Sequence, residues 1–247
     1  MTVKSARRFS ITMMLFCISI LLICHWMLKT YYGVETLPSP NSSEETKTDS
    51  DGFPEVDWAY WQGINSDVIG WITIPDTEIN YPILQANPSD RNYYLSHNVY
   101  NEWDFMGAVH LDADCFDEGL DSKNAIILAH SLYTGSSTAM FTPLIQYNDQ
   151  EFANSHSRIL IQTPTSKRIV DATSVETIDG SAAVKYTNFD NDEEFYQYQQ
   201  TCYDDSGVKV SEEAPKTNQM FTLCTCSYFF NPSNERILTY GALKAKL

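Results

Sequence analysis

Three residues with reactive or charged side chains lie at the ends of apolar segments. Cys226 closes the run FTLCTC, His130 closes the run AIILAH, and Arg236 opens the run RILTYG. Runs of this composition predict β-strands, and the end of a strand is where a chain leaves a sheet and exposes a side chain. If the three strands share one rim of a barrel, a thiol, an imidazole and a guanidinium meet there.

Such a trio can perform nucleophilic catalysis. A cysteine with a pKa of about 8.5 is only about 3% thiolate at pH 7, and the thiolate is the nucleophile. A histidine can give a proton to a leaving amine, and an arginine, which is always charged, can hold a developing oxyanion. Spacing alone leaves the other interpretation open, in which these side chains only pack within the fold.

The elements that must position these residues are mostly strands. About eight short apolar segments predict strands, with few helices between them, and this pattern favours a closed β barrel or a sandwich. An α/β fold would need long crossover helices, and the sequence does not predict any. We therefore predict an all-β fold with a few peripheral helices. The predicted strands are Val68–Ile74, Glu78–Leu84, Ala108–Leu111, Ala125–His130, Arg158–Thr163, Arg168–Glu176, Phe221–Cys226 and Arg236–Leu243, and the predicted helices are Val56–Ile64, Asp90–Ser96, Met140–Tyr147 and Asp192–Cys202.

The N-terminal segment predicts a membrane anchor. Lys4, Arg7 and Arg8 precede the uncharged, apolar segment Phe9–Leu28, which would span about 30 Å as a helix, the thickness of a bilayer core. A cleaved signal peptide would have a shorter apolar region and a small-x-small site, and no such site follows. The basic residues place the N-terminus in the cytoplasm. The polar segment Leu37–Gly52 predicts a flexible stalk.

The net charge of −16 argues against one class of partner. A nucleic-acid-binding protein needs a basic surface to neutralise phosphates, and no Lys/Arg cluster follows the first eight residues. We expect no nucleic-acid partner.

The cysteines and acidic loops suggest neither a metal site nor a disulfide framework. Cys224 and Cys226, two apart on a strand, are poorly placed for a bridge, whereas a disulfide between Cys115 and Cys202 stays open. The residues from His97 to Asp117 lack the spacing of a zinc or calcium site. We expect neither a metal nor a cofactor.

The segment Thr222–Cys226 resembles the TLxTC signature of the sortases, the cysteine transpeptidases of Gram-positive cell surfaces. Further blocks resemble class B sortases in the same order along the chain. They are DVIGWITIP with INYPI at Asp67–Ile83, NYYLSH at Asn92–His97, GAVHLD at Gly107–Asp112, the histidine segment Asn124–Met140, and NERIL at Asn234–Leu238. The resemblance covers Asp57 to Leu247 and implies an eight-stranded sortase-type barrel.

This resemblance implies roles for individual residues. Cys226 would be the nucleophile, His130 the general acid, and Arg236 the group that holds the oxyanion and substrate. Cys224, which stands where class B members usually carry Ser, would contact substrate together with Leu95 and Thr225. The enzyme would cleave a sorting signal after Thr and pass the acyl group to an amine.

The N-terminal segment and the resemblance together imply an organisation and a location. We predict a cytoplasmic tail at 1–8, a transmembrane anchor at 9–28, a stalk at 29–56 and an extracellular catalytic domain at 57–247, in a single-pass membrane protein. The partners would be secreted surface proteins or pilins with a sorting motif, and the acceptor a peptidoglycan-precursor amine or a pilin lysine. Polymerisation of pilins and a catalytically silent sortase-like binding module are the alternatives.

Overall fold

The computed structural model describes residues 17–23, 47–132, 139–181, 186–226 and 234–247, and of Cys226 it describes the main chain. The chain divides into two units, Met1–Ser42 and Ser43–Leu247. In the first, residues 17–23 form a helix, α1, whose side chains are exposed. Across the described ranges, no helix combines the length and the apolar character needed to cross a bilayer. Most of the predicted anchor at 9–28 and the whole tail at 1–8 lie outside these ranges.

Within the described residues of the second unit, nine strands form one sheet in the order β5-β1-β2-β3-β4-β8-β9-β6-β7. Strand β6 also pairs with β5, so eight strands close on themselves and β7 extends the second half of β6. The predicted eight-stranded all-β barrel is confirmed. The strands are β1 Val68–Thr73, β2 Asn80–Gln85, β3 His110–Leu111, β4 Asn124–Leu128, β5 Arg158–Gln162, β6 Lys167–Asp179, β7 Val208–Lys209, β8 Met220–Cys226 and β9 Glu235–Lys246.

Alternation along the strands fills the barrel with branched aliphatic side chains, because these fit a pleated, buried surface. Most neighbouring strands are antiparallel, whereas β2 pairs with β3, and β4 pairs with β8, in parallel. The parallel pairing matters for the site because it sends β4 and β8 toward the same end of the barrel. Fully buried core residues from several strands include Ile72, Ile83, Ile127, Ile159, Ile161, Leu223 and Ile237.

The described part of the second unit contains three α-helices: α2 at Trp58–Ile64, α3 at Gln150–Ser155 and α4 at Asp192–Asp205. Asp57 caps α2, as its carboxylate accepts a hydrogen bond from the Tyr60 N–H at 3.0 Å. Two predicted helices are corrected. The segment predicted at Asp90–Ser96 contains only a 3₁₀ turn at Tyr93–Leu95, and the one at Met140–Tyr147 is a 3₁₀ helix at Thr142–Asn148 with a proline in its first turn.

Described residues before Asp57 also contact the barrel. Phe53, within the segment predicted as stalk at 29–56, is 1% exposed and packs with Leu160 and Ile169. Lys167 also forms an ion pair with Asp49 at 2.5 Å. The segment is mostly polar, and its composition did not indicate that Phe53 is buried. Burial of this one aromatic side chain fixes the residues around it.

Candidate active site

The residues predicted to be catalytic lie at the ends of three neighbouring strands: His130 just after β4, Cys226 at the end of β8 and Arg236 near the start of β9. In the parallel pair, Leu128 of β4 is level with Cys224 of β8, so His130, two residues beyond Leu128, follows the same direction as Cys226. In the antiparallel pair, Cys226 is directly opposite Arg236 of β9. The structure therefore brings the backbone positions 130, 226 and 236 to one end of the barrel, with β8 between the other two strands.

A buried hydrogen bond links the ends of β4 and β8. Thr225 is 2% exposed, and its hydroxyl donates to the carbonyl oxygen of Ala129 at 2.9 Å. The Ala129 N–H in turn donates to the carbonyl of Cys224 at 3.3 Å. The first bond joins the residues that directly precede positions 226 and 130, the second joins Ala129 to Cys224, and together they set the relative height of the two strand ends.

His130 is half-buried, and two features orient its ring. Nε2 lies 2.9 Å from the carbonyl oxygen of Leu95. A carbonyl can only accept, so Nε2 carries a hydrogen and donates it. The ring also lies parallel to the Phe105 ring, with 6.3 Å between centroids and 4° between planes. With Nε2 bonded to Leu95, the nitrogen at which the imidazole gains or loses a proton is Nδ1.

Arg236 begins β9 with a half-buried side chain. Its Nη1 donates to the carbonyls of Glu235 at 2.9 Å and of Asn234 at 3.2 Å, so the backbone at the strand end holds one edge of the guanidinium. Asp179 lies close by at the end of β6. Hydrogen bonds from Ser181 lower the pKa of the Asp179 carboxyl, and Asn234 and the charge of Arg236 act in the same direction.

The residues predicted to bind substrate occupy different environments. Cys224 is half-buried and lies between Leu128 and Leu238 in the ladder. Leu95 is half-buried, and its carbonyl contacts His130. The hydroxyl of Thr225 donates to the Ala129 carbonyl. This contact favours a role for Thr225 in joining the two strands over a role in binding substrate.

The other histidines of the barrel unit have backbone and stacking contacts. His97 stacks on Tyr93 with centroids 4.0 Å apart, and the buried His110 donates from Nδ1 to the carbonyl of Ala108 at 2.9 Å. Among the described residues, no group of three or more His, Cys, Asp or Glu side chains could hold a metal ion.

Sequence reasoning missed Phe105 and the orienting carbonyl of Leu95. Phe105 follows the polar segment NEWD and precedes Met106 and Gly107, a pattern that gives no sign of a strand or of a contact with His130. The structure alone shows that this aromatic side chain is 48% exposed and lies beside His130.

An electrophilic carbonyl placed at this end of the barrel could meet an acid–base group from β4, a thiol position on β8 and a cation from β9. That combination suits acyl transfer through a covalent intermediate.

Comparison with known proteins agrees with the barrel fold. Residues 72–244 match the family described as Sortase domain. A sortase B of Listeria monocytogenes is 34% identical over 190 residues, which cover 75% of this chain and 73% of that protein.

Two solved structures share the fold. A Bacillus anthracis sortase B, in complex with AAEK1, is 28% identical with a TM-score of 0.65, and the match covers 82% of this chain and 90% of that one. A Staphylococcus aureus sortase B–substrate complex is 24% identical with a TM-score of 0.65, covering 75% of this chain and 83% of that one. The chain belongs to the sortase family, in its class B, and is thereby a cysteine transpeptidase.

Proposed function

We propose that this enzyme cleaves a C-terminal sorting signal after its Thr and transfers the protein to a peptidoglycan-precursor amine. The observation that supports the proposal is the register of β8 with β4, which ends two residues before position 130, and with β9, where position 236 is opposite position 226, in a chain of the sortase family. The proposal assigns Cys226 as nucleophile, His130 as acid–base group and Arg236 as oxyanion and substrate contact.

In the first half of the reaction, the Cys226 thiolate attacks the carbonyl carbon of the substrate Thr. The carbonyl electron pair moves to oxygen, and the guanidinium of Arg236 stabilises the resulting negative charge. As the C–N bond breaks, the His130 imidazolium gives its Nδ1 proton to the departing amine. The product is a thioester between Cys226 and the substrate, with a neutral imidazole beside it.

The second half reverses these roles. The acceptor amine attacks the thioester carbonyl, neutral His130 takes up the proton that the amine loses, and the thiolate departs. The Nε2–H bond to Leu95 would keep the ring in one orientation through both halves, so the same nitrogen serves as acid and as base. A fixed ring lowers the reorganisation needed at each proton transfer.

The sorting motif is expected to depend on Cys224. This half-buried side chain lies two residues before Cys226, and a thiol is a weaker hydrogen-bond donor than the serine hydroxyl usual at this position. We therefore expect a preference that differs from the usual NPxTN or NPxTG type. A pilin lysine as acceptor, which would make the enzyme a pilus polymerase, is the alternative for the second substrate.

We also propose that the enzyme is anchored in the membrane by residues 9–28, with residues 1–8 in the cytoplasm and the catalytic unit outside. The support is the apolar segment preceded by Lys4, Arg7 and Arg8. Cysteine-accessibility labelling of intact cells and of permeabilised cells tests this orientation. Labelling of an N-terminal cysteine only after permeabilisation is expected, and labelling in intact cells would contradict the orientation.

The experiment for the proposed activity is a screen of the purified full chain against five-residue sorting motifs, with and without an amine acceptor. We expect cleavage of one motif class and, with the amine, a transpeptidation product. Cys226→Ala should abolish both, whereas Cys224→Ser should keep the chemistry and change the preferred motif. Equal loss in both variants would overturn the assignment of roles, and a wild type that forms no acyl intermediate would favour a silent binding module.

A further inference from the structure

Gly180 lies directly against the guanidinium of Arg236. A Cβ atom at position 180 would lie 3.1 Å from Cζ of Arg236, 3.2 Å from the side-chain oxygen of Asn234 and 2.5 Å from the Asn234 carbonyl oxygen. The last distance is shorter than real Cβ contacts. The absence of a side chain at position 180 thus provides the space in which the guanidinium lies.

Backbone conformation does not explain this glycine. Among the described glycines, Gly52, Gly107 and Gly119 have positive φ, a region that favours glycine, and Gly180 does not belong to that group. Its backbone is therefore accessible to alanine. What a methyl group would meet is the main chain of Asn234 and the side chain of Arg236.

One carbonyl oxygen ties the two strand ends to the guanidinium. The Asn234 carbonyl accepts from the Gly180 N–H at 2.6 Å and from Nη1 of Arg236 at 3.2 Å. Ile178 is opposite Arg236 in the β6–β9 ladder, and Asp179 is opposite Glu235. The end of β6 thus forms the surface on which the arginine lies.

The Asp179 carboxylate orders this surface. It accepts hydrogen bonds from the Ser181 N–H at 2.8 Å, from the Ser181 hydroxyl, and from the side-chain amide of Asn234 at 3.3 Å. The same carboxylate adds a negative charge near the guanidinium. Asp179 therefore holds Ser181, and it also holds Asn234, whose carbonyl accepts from Arg236.

We propose that Gly180 and Asp179 are positioning residues for Arg236, so that the end of β6 sets where the guanidinium meets the reacting carbonyl. This inference rests on the role proposed above for Arg236. Neither residue is required to touch substrate. Both act through the location of a cation that must reach a developing oxyanion.

A methyl group at position 180 would displace the arginine. The 2.5 Å contact is with a main-chain atom, so the backbones at positions 180 and 234 must move apart. The Asn234 carbonyl accepts from Nη1 of Arg236, and the guanidinium therefore moves with it. A displacement of about 1 Å at a group that stabilises the transition state can cost on the order of tenfold to a hundredfold in rate. We therefore expect Gly180→Ala to lower kcat/KM by at least about tenfold.

The test compares Gly180→Ala with Gly207→Ala in the full chain. A Cβ at Gly207 would have nothing within 4 Å and its φ is not positive, so this variant is a matched control for the glycine-to-alanine change. Each substitution is also made in an Arg236→Lys background, and peptide cleavage and thermal unfolding are measured for all variants. If Gly180 acts through the arginine, Gly180→Ala should lower kcat/KM and Gly207→Ala should not. In the Arg236→Lys background, the loss of kcat/KM caused by Gly180→Ala should shrink to less than about twofold.

A second pair keeps the test decisive should Gly180→Ala fold poorly. Asp179 is exposed, so Asp179→Asn should fold normally, and Asp117→Asn makes the same charge change at an exposed site elsewhere. We expect Asp179→Asn to lower kcat/KM about threefold and Asp117→Asn to leave it unchanged. The loss in Asp179→Asn should disappear in the Arg236→Lys background.

The outcomes separate this inference from the proposed function. If Cys226→Ala is inactive while Gly180→Ala and Asp179→Asn match their controls, the positioning role is wrong and the proposed function stands. An equal loss in the wild-type and Arg236→Lys backgrounds would also overturn the inference, because the effect would not pass through the guanidinium. If Cys226→Ala remains active, the proposed function itself fails.

Discussion

The hydroxyl of Thr225 donates to the carbonyl of Ala129 at 2.9 Å, which bonds the residue before Cys226 to the residue before His130. Because the bond is buried and joins two parallel strands, it controls how far each strand end extends. The spacing between the predicted nucleophile and the predicted acid–base group depends on that register.

We predict that Thr225→Val lowers the free energy of unfolding by about 1–2 kcal/mol, because it removes the donor of a buried hydrogen bond. It should lower kcat more than it raises KM, since the strand ends lose their alignment. Thr225→Ser retains the hydroxyl and should retain both properties. Steady-state kinetics and urea unfolding test this. A large rise in KM with kcat intact would instead make Thr225 a substrate contact, as the sequence resemblance implied.

Phe105 should contribute to activity through His130. Its ring is parallel to the imidazole, and aromatic pairs contribute about 0.5–1.5 kcal/mol beyond their buried area. Phe105→Ala should therefore lower kcat/KM by about threefold to tenfold and shift the pH–rate limb that belongs to His130. Phe116→Ala, at a similarly exposed aromatic residue elsewhere, is the control. Identical pH–rate profiles for the two variants would show that the contact between Phe105 and His130 does not contribute to activity.

Asp121 should stabilise the barrel in a pH-dependent manner. It pairs at 2.6 Å with Lys246 and with the guanidinium of Arg168, whose side chain is only 2% exposed. Hydrogen bonding to Lys246, followed by that to Arg168, lowers the pKa of the Asp121 carboxyl. A carboxyl with a lowered folded-state pKa contributes stability above its unfolded pKa and loses it as the pH falls through the folded value.

Asp121→Asn should thus cost about 1–2 kcal/mol of unfolding free energy at pH 7, an amount limited by the solvent around Asp121. The difference from wild type should shrink below about pH 4, where the carboxyl becomes protonated. Urea unfolding at several pH values measures it. A difference that stays constant from pH 7 to pH 3 would show that charge is not the cause.

The possible disulfide between Cys115 and Cys202 is not formed in the structure, and both side chains are thiols. Burial raises the pKa of Cys202 to about 11, and Cys115 is 1% exposed. We predict that iodoacetamide at pH 8 leaves both unmodified in the native enzyme and modifies both after unfolding without a reductant. A requirement for reductant after unfolding would reveal the disulfide.

Much of the fold could be predicted because local composition decides it. The β-branched run at Val68–Ile74 became β1 with a difference of one residue at its end, and the acidic start of α4 correctly indicated a helix N-terminus. The two-residue strand β7 was missed, since Val208 and Lys209 form a strand only because β6 supplies an edge. The pair β5–β6 is a local hairpin, whereas the pairing of β5 with β1, about 90 residues earlier in the chain, depends on the whole barrel.

The candidate site divides in the same way. Its reactive residue types and their places at strand ends are visible in the sequence. Its supporting contacts are not, because Gly180 and Arg236, or Phe105 and His130, meet only after the chain has closed into a barrel. Nothing in the spacing of those pairs indicates contact, and the glycine has no side chain to suggest a role.

The central claim is that Cys226 carries the substrate as a thioester. The most direct test is mass spectrometry of the enzyme quenched in acid during turnover of a cleavable sorting peptide, followed by proteolytic mapping of the adduct. The account predicts the acyl fragment on Cys226, its disappearance when an amine acceptor is added, and no adduct in Cys226→Ala. An adduct on Cys224, or cleavage that persists in Cys226→Ala, would contradict it.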